Sequence, residues 1–417
     1  MTDILLREFF DKKRWTDAIE KGNEKNIDKN LLRNLCSPEK RLSIYYQIRD
    51  GTYNIKPPHE ARIPKDDNTY RTVYINEDTD RIILSIINDM FFDMFPEFIH
   101  PKCKSYQKGI GCGKIVKDLS KKITKSENDI IGIKADLSKY FDSVPIEYID
   151  RVFDCIENKT GKSAIINLVR NYYHDDTVID YDKNTIKKYS SLRQGCAVAA
   201  YLADSVLKDM DEKIDKLDVT YVRYSDDILI IGNEWEKGYA ILKESLAQKQ
   251  LILNPKKVEI LSKDKWFQFL GFSIKNDKIS LSKKRIKTFQ KEIEIRTIKS
   301  KHTDIDRITK NINDYLYTGD GVYSWATSVL PVINVEQDIT TLNGFVMDAI
   351  RAAKTKKTNI GGLGYSGENK NAVIVRGKGS NVKVNKEKIP FIANYKTIQC
   401  MKNALMIAKP LYQTLQS

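Results

Sequence analysis

The spacing of apolar positions divides the chain into helical and extended stretches. Residues 1–50 are mixed in charge and read as helical. Pro57, Pro58 and Pro64 interrupt that pattern, and a short hairpin-like stretch runs on through Ile75. Residues 78–95 form an apolar helix that ends before Pro96. A loop rich in Lys and Gly over 100–113 leads into a helix reaching about Lys125.

The centre of the chain carries the sharpest patterns. Residues 130–137 (IIGIKADL) alternate as a strand, with Ile131, Ile133 and Ala135 on one face and Lys134 and Asp136 on the other. Two helices follow, about 146–158 and 162–173. After a loop at Arg193–Gly195, Val198, Leu202, Val206, Met210 and Ile214 recur at every fourth position and predict one long helix. Residues 219–231 (VTYVRYSDDILII) are two β-rich halves around Ser-Asp, which predicts a tight hairpin. A helix over 235–250 and strands near 257–261, 267–274 and 278–281 complete a β-α-α-β-β-α-β order. That order predicts an α+β sheet with helices packed on one face. From Ser282 the pattern turns helical and basic, with Ile286, Phe289 and Ile293 on one face, and the last 28 residues read as helical.

Charge changes this picture in one place. The 417 residues carry a net charge of +14 and a pI near 9.2, which favours a polyanionic partner. Residues 351–388 hold ten Lys or Arg, two Glu and six Gly, a net of +8 and over half of that excess. Six cysteines form no C-x-x-C pair and there are only four histidines, so a zinc site is not expected. The opening MTDILLREFF is charged from Asp3 onward, so no signal peptide is expected, and no apolar run reaches membrane-spanning length. A reduced, cytoplasmic protein is the expectation.

Three carboxylates are candidate chemistry. Nucleotidyl transfer needs a deprotonated 3′-hydroxyl and a neutralised pyrophosphate, and two metal ions about 3.5–4 Å apart do both. Magnesium prefers oxygen ligands and is held by one or two carboxylates together with substrate phosphates. Asp226 and Asp227 at the hairpin turn, beside Asp136 at a strand end, supply such ligands. Asp and Ser also favour turns for local reasons, so a plain polar turn explains Ser-Asp-Asp equally well at this point.

The order of motifs favours the first reading. Tyr224-Ser225-Asp226-Asp227 resembles the Tyr-x-Asp-Asp box of reverse transcriptases, and residues 134–144 (KADLSKYFDSV) resemble their first catalytic box. Ser191-Leu192-Arg193-Gln194-Gly195 resembles the Pro-Gln-Gly box, residues 251–261 (LILNPKKVEIL) the following Lys box, and residues 266–274 (WFQFLGFSI) the primer grip. The likeness covers about 130–280 and extends upstream to about residue 60.

This resemblance implies an α+β right-hand polymerase with fingers, palm and thumb, plus a basic C-terminal extension. The implied division is a helical segment over 1–60, fingers and palm over 61–281, thumb over 282–335 and an RNA-binding extension over 336–417. It implies catalysis by Asp136, Asp226 and Asp227, with two Mg²⁺ ions (or Mn²⁺) on these residues and the Leu137 carbonyl. The implied nucleotide pocket comprises Lys65, Arg71, Phe141, Gln194, Gly195 and Lys257, with Lys256 as an alternative to Lys257. Phe141 would collide with a 2′-hydroxyl and so select deoxynucleotides. Arg193, where the family has Pro, is expected to add a charge near the substrate. Arg81 and Lys108 are further candidates for template or phosphate contact. Phe269, Leu270 and Gly271 would grip the primer, and the basic helix from Lys283 would lie along a duplex. Lys354, Lys356, Lys357, Arg376 and Lys378, with Tyr365, would contact RNA.

Gly109-Ile-Gly-Cys-Gly113-Lys114 has the wrong spacing for a phosphate loop, with Ile115 where Ser or Thr is needed. No protease, integrase or RNase H segment is recognisable. Asn171-Tyr-Tyr-His174 only partly echoes a retron motif. The remaining likeness is to prokaryotic unknown-group and abortive-infection reverse transcriptases, in particular defence-associated enzymes of class two. Those enzymes copy a structured non-coding RNA from dNTPs into DNA. Retron-like or group II intron-like enzymes, an RNA-dependent RNA polymerase, a template-independent nucleotide-adding enzyme and an RNA-binding scaffold are the alternatives.

Overall fold

The protein is described from a computed structural model. It covers residues 3–354 apart from 25–26, 65–68, 108, 126, 128, 302–303 and 319–323, together with 374–377 and 380–383. Two compact units divide the chain: Met1–Lys108 with Gly132–Ile260, and Gly109–Ile131 with Leu261–Ser417.

The chain opens with four helices, α1 (Ile4–Phe9), α2 (Lys12–Glu24), α3 (Lys29–Leu35) and α4 (Pro38–Arg49). Asp3, Asp28 and Ser37 cap three of them through their side-chain oxygens, and Pro38 sits in the first turn of α4. A hairpin of β1 (His59–Pro64) and β2 (Tyr70–Ile75) precedes α5 (Asp78–Met94). Next come α6 (Cys112–Thr124), β3 (Ile130–Asp136), α7 (Tyr140–Ser143), α8 (Ile146–Thr160) and α9 (Ala164–His174). Two three-residue strands, β4 (Thr177–Ile179) and β5 (Thr185–Lys187), lead to α10 (Ala199–Ser205) and α11 (Lys208–Asp215). The hairpin β6 (Thr220–Tyr224) and β7 (Asp227–Ile231) is followed by α12 (Trp235–Gln248) and β8 (Glu259–Ser262).

In the first unit two four-stranded sheets form, ordered β6-β7-β3-β8 and β2-β1-β4-β5. Helices α5 and α8–α12 bury apolar faces in one core that includes Ile133, Ala135, Ile228 and Ile230. Gly132 has a structural reason: a Cβ there would lie 2.1 Å from the Ile230 carbonyl oxygen, so only glycine lets β3 pass β7 at this distance.

The second unit holds α6, β9 (Phe267–Phe269), β10 (Phe272–Lys275), β11 (Lys278–Leu281), α13 (Lys283–Arg296), α14 (Ile305–Asn313), α15 (Trp325–Ser328) and α16 (Glu336–Lys354). Its three-stranded sheet is ordered β11-β10-β9. A final hairpin joins β12 (Ile374–Gly377) to β13 (Ser380–Lys383).

Three expectations from the periodicity change. The single helix after Gly195 is broken into α10 and α11, although Val198, Leu202, Val206, Met210 and Ile214 are all buried as the ridge requires. At the break the Arg223 guanidinium donates to the carbonyls of Ala203 (3.5 Å) and Asp204 (2.7 Å). A continuous helix would offer those carbonyls to Leu207 and Lys208 instead. The single strand over 267–274 is two strands around a turn in which Leu270 (φ 50°) and Gly271 (φ 79°) are both left-handed. The β4–β5 hairpin was not foreseen, because three-residue strands give too little alternation to read. The helical reading of the last 28 residues lies outside the described residues.

Candidate active site

The hairpin β6–β7 is closed by Ser225 and Asp226, with Tyr224 paired to Asp227 across it. Ser225 adopts φ 56°, the left-handed conformation a two-residue hairpin turn demands. Asp226 therefore sits on the turn, while Asp227 is the first residue of β7. On the other side of β7, β3 runs antiparallel in a register that sets Asp136 directly opposite Asp227. Directly opposed residues have Cβ atoms about 5 Å apart, so register alone brings two of the carboxylates together. The third is tied in by the backbone: the Leu137 amide donates to the Asp226 carbonyl at 3.2 Å.

The segment before the Lys box runs past the same strand end. Ser138 donates to the Ile252 carbonyl at 2.8 Å and Asn254 to the Asp136 carbonyl at 2.8 Å. The Asn254 side chain then caps the short turn Pro255–Lys257. That turn delivers the Lys257 ammonium to 2.8 Å from Asp136 Oδ2. Of the two candidate lysines, only Lys257 lines the cavity described next.

A cavity of about 810 Å³ opens over Asp136, Leu137 and Asp226. Arg71, Phe141, Gln194 and Lys257 line it, as do Tyr70, Tyr74, Lys188 and Tyr189. The last four were not found from the sequence. Lys188 and Tyr189 follow β5, whose hairpin had left no readable signal. Phe141 packs its ring against Tyr140 at 5.7 Å in a T-shaped pair and is only partly buried. Gly195 has φ 108°, and a Cβ there would sit 2.6 Å from the Tyr74 carbonyl oxygen. The Tyr74 amide donates to the Gln194 carbonyl at 2.7 Å, so the Gln-Gly loop is laced to β2.

Arg193 also lines this cavity, beside Gln194, but it is buried and its guanidinium is engaged locally: it donates to the carbonyls of Tyr172 (2.9 Å) and Asp175 and lies over the Tyr172 ring at 4.5 Å. Its charge satisfies the open carbonyls where α9 ends. Arg81 pairs with Asp78 at 2.8 Å and is absent from this cavity lining.

Electrostatically the carboxylates at the β6–β7 turn oppose one another. Burial, followed by the charges of Asp226 and Asp136, pushes the Asp227 carboxyl up to about 6, against the opposing Lys134 and Lys257. Burial also raises Asp226, with Asp136 adding and Lys257 and Arg71 opposing. Such crowding of buried carboxylates is relieved by a cation. Among the described residues no group of three or more His, Cys, Asp and Glu is gathered as a metal cluster. An all-oxygen donor set of a few carboxylates nevertheless fits magnesium, which completes its shell with water and phosphate.

The family model described as reverse transcriptase (RNA-dependent DNA polymerase) matches residues 63–274, just over half the chain. The chain belongs to the reverse transcriptase family. It has the family's mixed α/β fold. Among solved structures, telomerase from Candida albicans with a fragment of telomeric RNA matches at 11% identity and TM-score 0.41, covering 74% of this chain and 60% of that one. Apo telomerase from Candida tropicalis matches at 10% identity and TM-score 0.46 over 72% of this chain and 58% of that one. A C-terminally truncated form of the latter matches at 14% identity and TM-score 0.37, over 58% and 59%. This reverse transcriptase thus spans about three fifths of those telomerase chains. No curated protein matches it.

The remaining candidates fall elsewhere. Phe269, Leu270 and Gly271 form the β9–β10 turn of the second unit, where the Leu270 carbonyl accepts from Arg285 at 3.4 Å. Lys354 ends α16 and Arg376 lies in β12. Lys65, Lys108, Lys356, Lys357, Tyr365 and Lys378 lie outside the described residues. No described helix is long and apolar enough to cross a membrane.

Proposed function

We propose that this reverse transcriptase copies a dedicated, structured non-coding RNA into DNA, in a prokaryotic cytoplasm and in the service of antiphage defence. The observation that carries the polymerase chemistry is the register that opposes Asp136 to Asp227, with Asp136 and Asp226 lining a cavity of about 810 Å³. Asp136, Asp226 and Asp227, with the Leu137 carbonyl, are the residues that would hold two magnesium ions. When bound, those ions favour the ionised primer 3′-hydroxyl and neutralise the departing pyrophosphate.

The chain's own residues do the rest. Arg71, which lines the cavity, neutralises the triphosphate, and Lys65 shares that role. Phe141 forms a floor too high for a 2′-hydroxyl. Gln194 and Gly195 position the base pair from a loop held rigid by β2. Lys257 carries a proton available to the pyrophosphate. Phe269, Leu270 and Gly271 hold the primer end. Lys354, Lys356, Lys357, Arg376 and Lys378 bind the RNA, a reading supported by the +8 charge of residues 351–388.

Primer extension on an RNA template with the four dNTPs tests the chemistry. The Asp226→Ala/Asp227→Ala protein should be inert, and extension surviving in it would sink the metal assignment. Sequencing the nucleic acid that co-purifies tests the template. One recurrent structured RNA and its complementary DNA are expected; a random sample of cellular RNA would remove the dedicated template.

A further inference from the structure

The turn that carries Asp226 is supported from behind by groups the polymerase motifs do not include. The segment Lys102–Ser105 runs beside β6. Lys104 donates to the Arg223 carbonyl at 2.8 Å, and Arg223 donates to the Lys102 carbonyl at 3.0 Å. This places the Ser105 hydroxyl at the turn itself, where it accepts from the Ser225 amide at 2.9 Å. Ser105 is fully buried, as is Asp204, whose Oδ1 accepts from the Ser105 hydroxyl at 2.5 Å.

A second set of bonds fixes the strand leading into the turn. Arg223 is fully buried and donates twice to Asp211, from Nε at 2.8 Å and from Nη2 at 2.6 Å. Its Nη1 reaches the Ser225 carbonyl at 3.4 Å, and Tyr221 also donates to Asp211, at 2.5 Å. Both backbone polar groups of Ser225 are therefore bonded to side chains of the interior. A residue in the left-handed region is held there by its surroundings rather than by its own preference. Here the surroundings are Ser105 on the amide and Arg223 on the carbonyl.

We propose that Ser105, oriented by Asp204, is a positioning residue for the catalytic turn. Its hydroxyl pins the Ser225 amide and thereby sets where the Asp226 carboxylate stands relative to Asp136. This rests on the assignment of Asp226 and Asp136 as the reacting-site carboxylates. A displacement of about 1 Å in such a group costs on the order of 100-fold in rate, so the effect should appear in turnover.

The test compares Ser105→Ala with Ser105→Thr, which restores a hydroxyl. In primer extension, Ser105→Ala should lose 10- to 100-fold in kcat, as this displacement scale implies, while KM for dNTP stays within about twofold. The half-saturating Mg²⁺ concentration should rise, and Ser105→Thr should recover at least part of each loss. Hydrogen exchange read at the Ser225 amide is independent of activity. It should quicken about tenfold or more in Ser105→Ala while exchange in α5 and α9 is unchanged, since that amide loses its buried acceptor. Unchanged kcat together with unchanged Ser225 exchange would overturn the proposal. Uniformly faster exchange throughout the first unit would also overturn it, because Ser105 would then be a general stability residue. If the wild type extends no primer but Ser225 exchange responds as stated, the clamp on the turn stands and the polymerase reading fails.

Discussion

Asp204 makes the stability of this fold depend on pH in a direction opposite to that of most carboxylates. It is fully buried, and its Oδ2 has no hydrogen-bond partner. Burial pushes its pKa up to about 6 from the ordinary 3.8, although Arg223 and the bonds from Ser105 and Cys103 pull the other way. Arg223 cannot fully compensate, because its guanidinium lies 2.6 Å from Asp211 but 3.9 Å from Asp204. A carboxyl whose pKa is raised by folding keeps its proton in the native state after the unfolded chain has released it. Stability is thus unaffected below about pH 4, falls between about 4 and 6, and stays lower above 6. Two pKa units correspond to about 3 kcal/mol. Asp204→Asn removes the titration while keeping an acceptor for Ser105. Its amide adds an offset, but one that does not vary with pH. Urea unfolding of both proteins from pH 4 to 7.5 should show the Asn variant gaining about 3 kcal/mol on the wild type across the series. The difference cancels every other titrating group. A difference that is flat to within about 0.5 kcal/mol over that range would refute the reasoning, since it would mean Asp204 is ionised in the native state at ordinary carboxylate pH.

Gly195→Ala forces a Cβ to 2.6 Å from the Tyr74 carbonyl oxygen at φ 108°. It should cost about 1–3 kcal/mol in strain and lower the melting temperature while depressing primer extension. Phe141→Val should raise ribonucleotide incorporation relative to deoxynucleotide at least tenfold in single-nucleotide extension, about 1.4 kcal/mol of lost discrimination. An unchanged ratio would remove the steric gate. Arg193→Met uncaps the carbonyls of Tyr172 and Asp175, so it should cost about 1–3 kcal/mol of stability while KM for dNTP stays within twofold. A large rise in KM would mean that the guanidinium does serve the substrate.

What was legible in the sequence, and what was not, separates along one physical line. The strand carrying Asp136, the hairpin carrying Asp226 and Asp227, and the helices α5, α8, α9 and α12 all have a periodicity confined to neighbouring residues. Such patterns are local, and the fold follows them to within a few residues. The direct opposition of Asp136 to Asp227 was close behind, because adjoining apolar strands with polar ends leave few registers that bury the right faces. The polar interior left no such trace. Ser105 and Asp204 meet across 99 positions of sequence, and Arg223 of β6 meets Asp211 of α11 across 12. A buried ion pair costs more to desolvate than a surface one, so its value lies in the geometry it imposes rather than in net stability. Arg193 makes the same point from the other side. At a family position next to substrate, a cation reads as a phosphate contact; Arg193 does line the cavity, yet its guanidinium is bonded to carbonyls at the end of α9. Residue type and motif position therefore single out the candidate carboxylates, because chemistry constrains both. They do not single out the buried groups bonded to the Ser225 backbone, since any buried donor or acceptor of suitable reach can fill such a place.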